Sequence, residues 1–198
     1  MTEGNRSDEV PARIRDQRRI GMSGGLFVSA LLRETGLKLT REQIDQLQTM
    51  HMEAYEQQVH SVKPLPGAAE LLSELGARGV PWAIATSGYA RTARLALGML
   101  DLPEDTPMIT RDMVRRAKPD PDLFLAGAAL VRVDPRHAMV VGDSVWDLLA
   151  ARRAGALGIG LLSGGYGRDE LERAGAFRVY ADPADMLNRL DEIGVRFD

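Results

Sequence analysis

Cysteine is absent from the 198 residues of this chain, and aromatic residues make up only 5% of them. The lack of cysteine excludes disulfide bonds, thiolate catalysis and zinc or iron–sulfur sites built on cysteine. The sequence has no apolar run long enough to cross a bilayer, and its first ten residues lack the apolar stretch of a signal peptide. We therefore expect a cytoplasmic protein that does not bind membranes.

A strong charge of one sign is also absent, because the formal net charge is -3. The 25 Lys and Arg residues are scattered, apart from a short basic run within residues 13–19. Such a distribution does not form the broad basic surface that nucleic acid requires, so no nucleic-acid partner is expected. The 44% of hydrophobic residues are enough for one globular core with a small additional domain.

Residues 1–63 are predicted to form a helical domain. Apolar residues recur at helical spacing from residue 26 to residue 31, and Gly36 ends that pattern. Thr40 and Gln43 then form a capping-box signal, and a second helix is expected to run from there to the residues before Pro64. The two helices are predicted to form one unit.

Residues 64–198 follow a different pattern, in which short apolar runs alternate with amphipathic helices. The clearest strand candidates are 82–85, 138–141, 157–162 and 177–180, with a shorter apolar piece at 108–109. This alternation predicts an α/β domain with a Rossmann-like parallel sheet. Because ligands of such sheets bind at the carboxyl ends of the strands, functional residues are expected there.

The first candidate site follows the strand at 82–85, where Thr86, Ser87 and Gly88 place two hydroxyl groups and a flexible backbone. These groups suit a phosphate. The alternative is structural: Thr86 and Ser87 cap the next helix and Gly88 only makes the turn. A serine hydrolase is disfavoured, because position 85 is Ala where a nucleophile elbow needs Gly.

The second candidate is Lys118, which lies between Ala117 and Pro119 in a proline-rich loop just before a predicted helix. A rigid loop can orient the ammonium group toward a ligand. The alternative is a solvated lysine, as most lysines are. Asp120 and Asp122 follow closely, and we favour Asp122 as the N-cap of the helix rather than as a metal ligand.

The third candidate is the most specific, because Gly142 and Asp143 end a buried strand and Asp147 follows four residues later in the first turn of a helix. Both carboxylates can point to one place. Two carboxylates with room for water and substrate oxygens suit Mg²⁺. The alternative is that Asp143 caps the helix and Asp147 is a first-turn acid favoured by the helix dipole.

Together, Thr86-Ser87-Gly88, Lys118-Pro119 and Gly142-Asp143 with Asp147 resemble, in that order, the second to fourth motifs of the haloacid dehalogenase superfamily. The helical segment resembles the small cap of that family. Residues 20–25 and 164–167 look most like the phosphoglycolate-phosphatase branch.

The resemblance implies a phosphatase that uses Mg²⁺ and hydrolyses a small phosphorylated metabolite through an aspartyl phosphate. Thr86 would hold a phosphoryl oxygen with help from the backbone of Ser87 and Gly88. Lys118 would offset negative charge, and Asp143 with Asp147 would hold the metal. The oligomeric state is expected to be a monomer or a homodimer. In the cap, Arg19, Met22 and Ser23 are expected to face the substrate.

The family's first motif, a strand that ends in Asp-x-Asp-Gly-Thr and supplies the nucleophile, has no counterpart in this sequence. The sequence therefore predicts a chain that begins inside the cap and lacks the first strand of the core. We favour a start codon placed too far downstream or a truncated chain over a true relative without a nucleophile. On this interpretation the chain alone is inactive. The alternatives are a non-catalytic phosphate-binding or interaction module, and a phosphomutase.

Overall fold

The strands of this chain form two parallel sheets. In the computed structural model, which describes Met22 and residues 24–196, β1 (Ile84–Ala85) pairs with β2 (Met108–Ile109). In the second sheet, β4 (Leu157–Leu161) lies between β3 (Met139–Gly142) and β5 (Ala176–Tyr180). Every strand pair is parallel. The predicted α/β fold with a parallel sheet is confirmed, although no strand of the described residues joins β1 to β3.

Two helices precede the sheets: α1 (Gly24–Thr35) and α2 (Arg41–Gln58), followed by a 3₁₀ turn at Val59–Ser61. The predicted capping box is present, because the Gln43 N–H donates to Thr40 Oγ1 at 3.3 Å and the Thr40 N–H donates to Gln43 Oε1 at 2.9 Å. The two helices pack against each other. Arg19 and Ser23, predicted to face the substrate, lie outside the described residues, and the boundary at residue 63 stays a prediction.

Helices connect the strands of the α/β part, as the sequence pattern predicted. They are α3 (Ala68–Ala77), α4 (Ala90–Leu97), α5 (Asp122–Leu130), α6 (Val145–Ala154), α7 (Arg168–Ala174) and α8 (Pro183–Leu187). Short 3₁₀ turns occupy Gly98–Leu100, Arg111–Met113, Pro135–His137, Leu162–Gly164 and Leu190–Ile193. The predicted helix over 183–193 is therefore broken after Leu187, and α7 had not been predicted.

The first strand is shorter than the predicted run over 82–85. Its pairing with β2 begins at Ile84 opposite Met108 and ends at Ala85 opposite Ile109. Because β2 itself has only two residues, no strand in the described part of the chain lies beside Trp82 and Ala83 to form a ladder with them. The chain therefore enters the sheet two residues later than its apolar character indicated.

At β4 and β5, both faces of the β3–β4–β5 sheet are covered by apolar residues, as expected for a parallel sheet. One face packs on α3, α8 and the following 3₁₀ turn through a buried cluster: Leu71, Ile159, Leu161, Tyr180, Met186, Leu190 and Ile193. The other face packs on α6 and α7 through a second cluster: Leu148, Tyr166, Leu171, Ala174 and Val179. These clusters hold β4 and β5, and β3 is positioned by its parallel pairing with β4 from Met139 to Gly142, which places Asp143 at its carboxyl end.

Within the part of the chain that the structure describes, no helix has both the length and the apolar character needed to span a bilayer.

Candidate functional site

The residues that the sequence singled out meet at the carboxyl ends of the strands. Thr86, Ser87 and Gly88 follow β1 directly and line a cavity that Lys118 also lines. Lys118 in turn contacts Asp147 in the first turn of α6. The structure therefore brings together three segments that are separated in sequence by about 30 residues each.

The loop after β1 is ordered by its own hydrogen bonds. The Thr86 N–H donates to the Ile109 carbonyl at 2.9 Å, and the Gly88 N–H donates to Thr86 Oγ1 at 3.0 Å. The N-cap of α4 is Tyr89, which forms no side-chain capping bond, so Thr86 and Ser87 do not cap that helix. Ser87 Oγ is shielded from solvent and finds no hydrogen-bond partner among the described residues. An unpaired buried hydroxyl suits a bound oxyanion.

Asp112 holds this loop in place, and the sequence had not indicated it. Its Oδ1 accepts hydrogen bonds from the Ala90 N–H at 3.1 Å and from Thr110 Oγ1 at 2.8 Å. The Arg111 N–H donates to the Gly88 carbonyl at 3.0 Å. The hydrogen bond from Thr110 is the main cause that lowers the pKa of the Asp112 carboxyl. The loop after β2 thus ties down the loop after β1 at the start of α4.

Lys118 is buried and forms an ion pair, which contradicts the alternative of a solvated lysine. Its Nζ lies 2.6 Å from Asp147 Oδ1, and the two side chains are only 9% and 7% exposed. The Phe124 ring lies 5.9 Å from the same ammonium group. The loop itself is anchored by Arg153, whose Nη1 donates to the Pro119 carbonyl at 2.8 Å.

Asp122 does not cap α5, so that interpretation was wrong. The N-cap position belongs to Pro121, and Asp122 is the first helical residue. The carboxylate of Asp122 instead accepts a hydrogen bond from the Arg116 N–H at 3.1 Å. The acid thus closes the loop that carries Lys118 by bonding to its N-terminal end.

Asp147 has partners for both carboxylate oxygens. Oδ1 pairs with Lys118, and Oδ2 accepts from the Ser144 N–H at 3.1 Å and from Ser144 Oγ at 2.6 Å. Ser144, not Asp143, is the N-cap of α6, and Asp147 completes a capping box with it.

A Cβ atom on Gly142 would lie 2.8 Å from Asp147 Oδ2 and closer still to the Cβ and Cγ atoms of Asp147. Gly142 is therefore required because the Asp147 side chain packs against its backbone.

Asp143, by contrast, has no hydrogen bond or ion pair to another described side chain, although it is half-buried. Burial raises the pKa of the Asp143 carboxyl, and the negative charge of Asp147 adds to the rise, whereas the Lys118 ammonium partly offsets it. A Cβ atom on Gly164 would overlap the Asp143 carbonyl oxygen and lie 2.7 Å from its Cγ. The turn after β4 thus confines Asp143 from the side, which the sequence had not indicated.

The carboxylates at this edge suit Mg²⁺. Asp143 offers hard oxygens that bond to no other described side chain, and because burial and the charge of Asp147 raise the pKa of this carboxyl, a cation bound there would stabilise its ionised form. Mg²⁺ needs only one or two protein carboxylates and keeps several waters, so the donor set fits. No group of three or more candidate ligand side chains occurs among residues 24–196. The assignment of Asp147 as a second ligand stays a prediction, since both of its oxygens have protein partners here.

Comparison with known proteins points to one family. The model of the haloacid dehalogenase-like hydrolases matches residues 5–155. Hexitol phosphatase A of Escherichia coli is 40% identical over 105 residues, which are 53% of this chain and 48% of that protein. A phosphoglycolate phosphatase of Caulobacter vibrioides is 36% identical over 117 residues, which are 57% and 48% of the two chains. The chain spans about half the length of these curated relatives.

A solved structure extends the similarity over most of the chain. A hydrolase from Pseudomonas syringae is 52% identical, with a TM-score of 0.88 over 92% of this chain and 84% of that one. The family model covers most of the chain and includes the loop after β1, Lys118, Asp143 and Asp147. This chain therefore belongs to the haloacid dehalogenase-like hydrolases.

Proposed function

We propose that this chain carries the phosphate site of a Mg²⁺-dependent phosphatase that acts on small phosphate monoesters through an aspartyl phosphate. The observation that carries the proposal is that a buried ammonium group and a hydroxyl group without a hydrogen-bond partner line the same cavity. Lys118 is fixed by Asp147, and Ser87 Oγ lacks a partner in the same cavity. The phosphatase names of the curated relatives support the same reaction class.

The loop after β1 supplies hydrogen-bond donors for a phosphoryl group. Thr86 Oγ1 already accepts from the Gly88 N–H, so its own hydrogen is available to a phosphoryl oxygen. The hydroxyl of Ser87 can donate to a second oxygen. Lys118 uses one N–H on Asp147 and has two more for the phosphate. Phosphoryl transfer depends mainly on such positioning and on neutralising charge, which these groups provide.

Asp143 would hold Mg²⁺, with Asp147 as the second ligand that the sequence predicted. The bound metal would supply positive charge to the phosphoryl oxygens. Asp147 has a further role in this geometry, because it fixes the Lys118 ammonium and the start of α6 at the same time. Asp143 is then the carboxylate that would bind the metal directly.

We assign the role of nucleophile to none of the described acids at this edge. Asp112 bonds to the start of α4, Asp147 bonds to Lys118 and Ser144, and Asp143 is assigned to the metal. We therefore propose that this chain alone binds phosphate without turning over an ester. A phosphate-binding module is the second candidate function, and it is supported by the same ordered site.

Titration calorimetry with inorganic phosphate and Mg²⁺ tests the site. We expect binding by the chain, at least about tenfold weaker binding for Ser87→Ala, and little or no binding for Lys118→Met. Ser73→Ala on α3 and Lys63→Met are matched controls, because both residues are exposed and far from the loop in sequence. Unchanged affinity in the Ser87 and Lys118 variants would refute the phosphate site.

Turnover of p-nitrophenyl phosphate by the same chain separates the two candidate functions. A rate no greater than that of Lys118→Met supports a site that needs a nucleophile from elsewhere. Multiple turnovers that Lys118→Met abolishes would show that this chain contains its own nucleophile.

A further inference from the structure

A cavity of about 650 Å³ separates the helices α1 and α2 from β1 and α4. Its volume lies in the range of small-molecule sites. The loop after β1 (Thr86, Ser87 and Gly88) and Lys118 line this cavity, so the cavity is continuous with the proposed phosphate site. The organic group of a bound phosphate ester can therefore extend into this cavity, and the lining indicates the chemistry that would suit that group.

The wall formed by α1 and α2 is mainly apolar and aromatic. It includes Phe27, Leu31, Leu47, Met52 and Tyr55. No residue of α2 is fully buried, so its apolar side chains on this wall are available to an occupant of the cavity. Burial of such surface by an apolar ligand is favourable by roughly 25 cal/mol per Å².

The Phe27 and His51 rings add an aromatic corner to this wall. Their centroids lie 5.6 Å apart with a tilt of 45° between the ring planes. Both residues line the cavity. Tilted ring pairs of this kind present faces and edges to a third ring, so the corner can accept a planar group.

The opposite wall, on α4, is formed by small and apolar residues. Ala93, Ala96 and Leu97 line it, together with Tyr89 at the start of the helix. The two alanines leave room for a ring between α4 and α2. The helices are held at this spacing by an ion pair in which Arg91 Nε lies 2.7 Å from Glu56 Oε1.

Charge is scarce in this lining. Among the described residues that line the cavity, Lys118 is the only Lys, Arg, Asp or Glu. Its ammonium is already shared between Asp147 and the proposed phosphate. The described lining therefore offers a second anionic group on the substrate, such as a carboxylate, no further Lys or Arg to offset its lost hydration.

We infer that the phosphate esters this site accepts carry a mainly apolar organic group, a ring in particular, bound between α2 and α4. The inference rests on the proposed phosphate site. A ligand of this kind differs from phosphoglycolate, the compound named for some of the relatives, which carries a carboxylate in place of an apolar group.

The test compares three ligands by titration calorimetry with the full chain and Mg²⁺: 1-naphthyl phosphate, 2-phosphoglycolate and inorganic phosphate. Naphthol fluorescence reports any hydrolysis during the titration. We expect 1-naphthyl phosphate to bind at least about tenfold more tightly than either of the other two, which corresponds to about 1.4 kcal/mol.

Leu47→Arg sharpens the comparison, because it places a cation on the apolar wall. We expect the variant to lose the preference for 1-naphthyl phosphate and to bind 2-phosphoglycolate more tightly than the parent chain. Leu37→Arg is the matched control, since Leu37 is 59% exposed and does not line the cavity. The control should keep the order of affinities of the parent.

Two outcomes would overturn the inference, and they differ in what else they affect. Equal affinity for 1-naphthyl phosphate and 2-phosphoglycolate, with phosphate still bound through Lys118, would refute the apolar preference and leave the phosphate site standing. Failure of all three ligands to bind would refute the phosphate site and the inference together.

Discussion

Lys118 and Asp147 form an ion pair of 2.6 Å that is almost closed to solvent and joins the loop before α5 to the first turn of α6. A buried charge that loses its partner costs about 3–5 kcal/mol, whereas removal of both charges costs much less. The pair is therefore expected to make the stability of the two segments interdependent.

Lys118→Met should lower the free energy of unfolding by about 3–5 kcal/mol, because it leaves the Asp147 carboxylate unpaired. The double variant Lys118→Met/Asp147→Asn should be more stable than this single variant, since Asn keeps an acceptor for Ser144 and carries no charge. Urea unfolding of the parent, both single variants and the double variant measures the coupling. Additive effects of the two substitutions would contradict an interaction between them.

Asp143→Asn should make the metal-free protein more stable, because it removes a half-buried carboxylate that has no partner. Mg²⁺ should raise the thermal unfolding temperature of the parent but not that of the variant. Thermal unfolding with EDTA and with excess Mg²⁺ checks both statements without any measurement of activity. Asp134→Asn is the control, since Asp134 is bonded to Arg136 outside the site. An equal Mg²⁺ response in all three proteins would refute Asp143 as a ligand.

The Asp112 carboxylate should make part of the stability depend on pH. In the folded protein the pKa of the Asp112 carboxyl is lowered from 3.8. The stability that the ionised carboxyl contributes is therefore fully present above pH 3.8, and it is lost as the pH falls through the lowered pKa. Asp112→Asn should therefore unfold at a lower temperature than the parent at pH 7, and the difference should shrink below pH 4. Thermal unfolding at a series of pH values measures it. A difference that does not change with pH would argue against an ionised Asp112 as the bonding partner.

Gly142→Ala should strongly destabilise the protein, because the added methyl group would overlap the Asp147 side chain and displace it from Lys118. Gly127→Ala is the contrasting change, since a Cβ atom there meets nothing within 4 Å and the residue lies inside α5. That substitution should be neutral or stabilise by up to about 1 kcal/mol. Chemical denaturation of both variants tests the prediction, which similar losses in the two proteins would contradict.

The local features of this fold could be predicted from the sequence because they depend on near neighbours. The capping box of Thr40 and Gln43 is present, and α6 spans Val145–Ala154 as expected. Caps and apolar spacing act over three or four residues, so they are visible in a short window. The parallel sheet could be predicted for a similar reason, because the order of strands and helices fixes the connection type.

The contacts of the site could not be predicted, because they join segments distant in sequence. Asp112 bonds to the Ala90 N–H only because β1 and β2 pair in one particular register. The ion pair between Lys118 and Asp147 likewise depends on the packing of α5 against α6. Sequence spacing indicated that Asp147 lies in the first turn of α6, but not the partners that its oxygens bind.

Among the described residues, no strand pairs with one edge of β3, and this has a consequence for how the protein behaves in solution. Leu157 N–H bonds to the Ala138 carbonyl on the β4 side, so the N–H and C=O groups of Met139 and Val141 point to the other side, where no described strand pairs with them. Both side chains are also exposed, at 41% and 42%. The main chain there offers hydrogen bonds to any extended polypeptide, whatever its side chains. Self-association that grows with protein concentration is therefore expected to begin at β3.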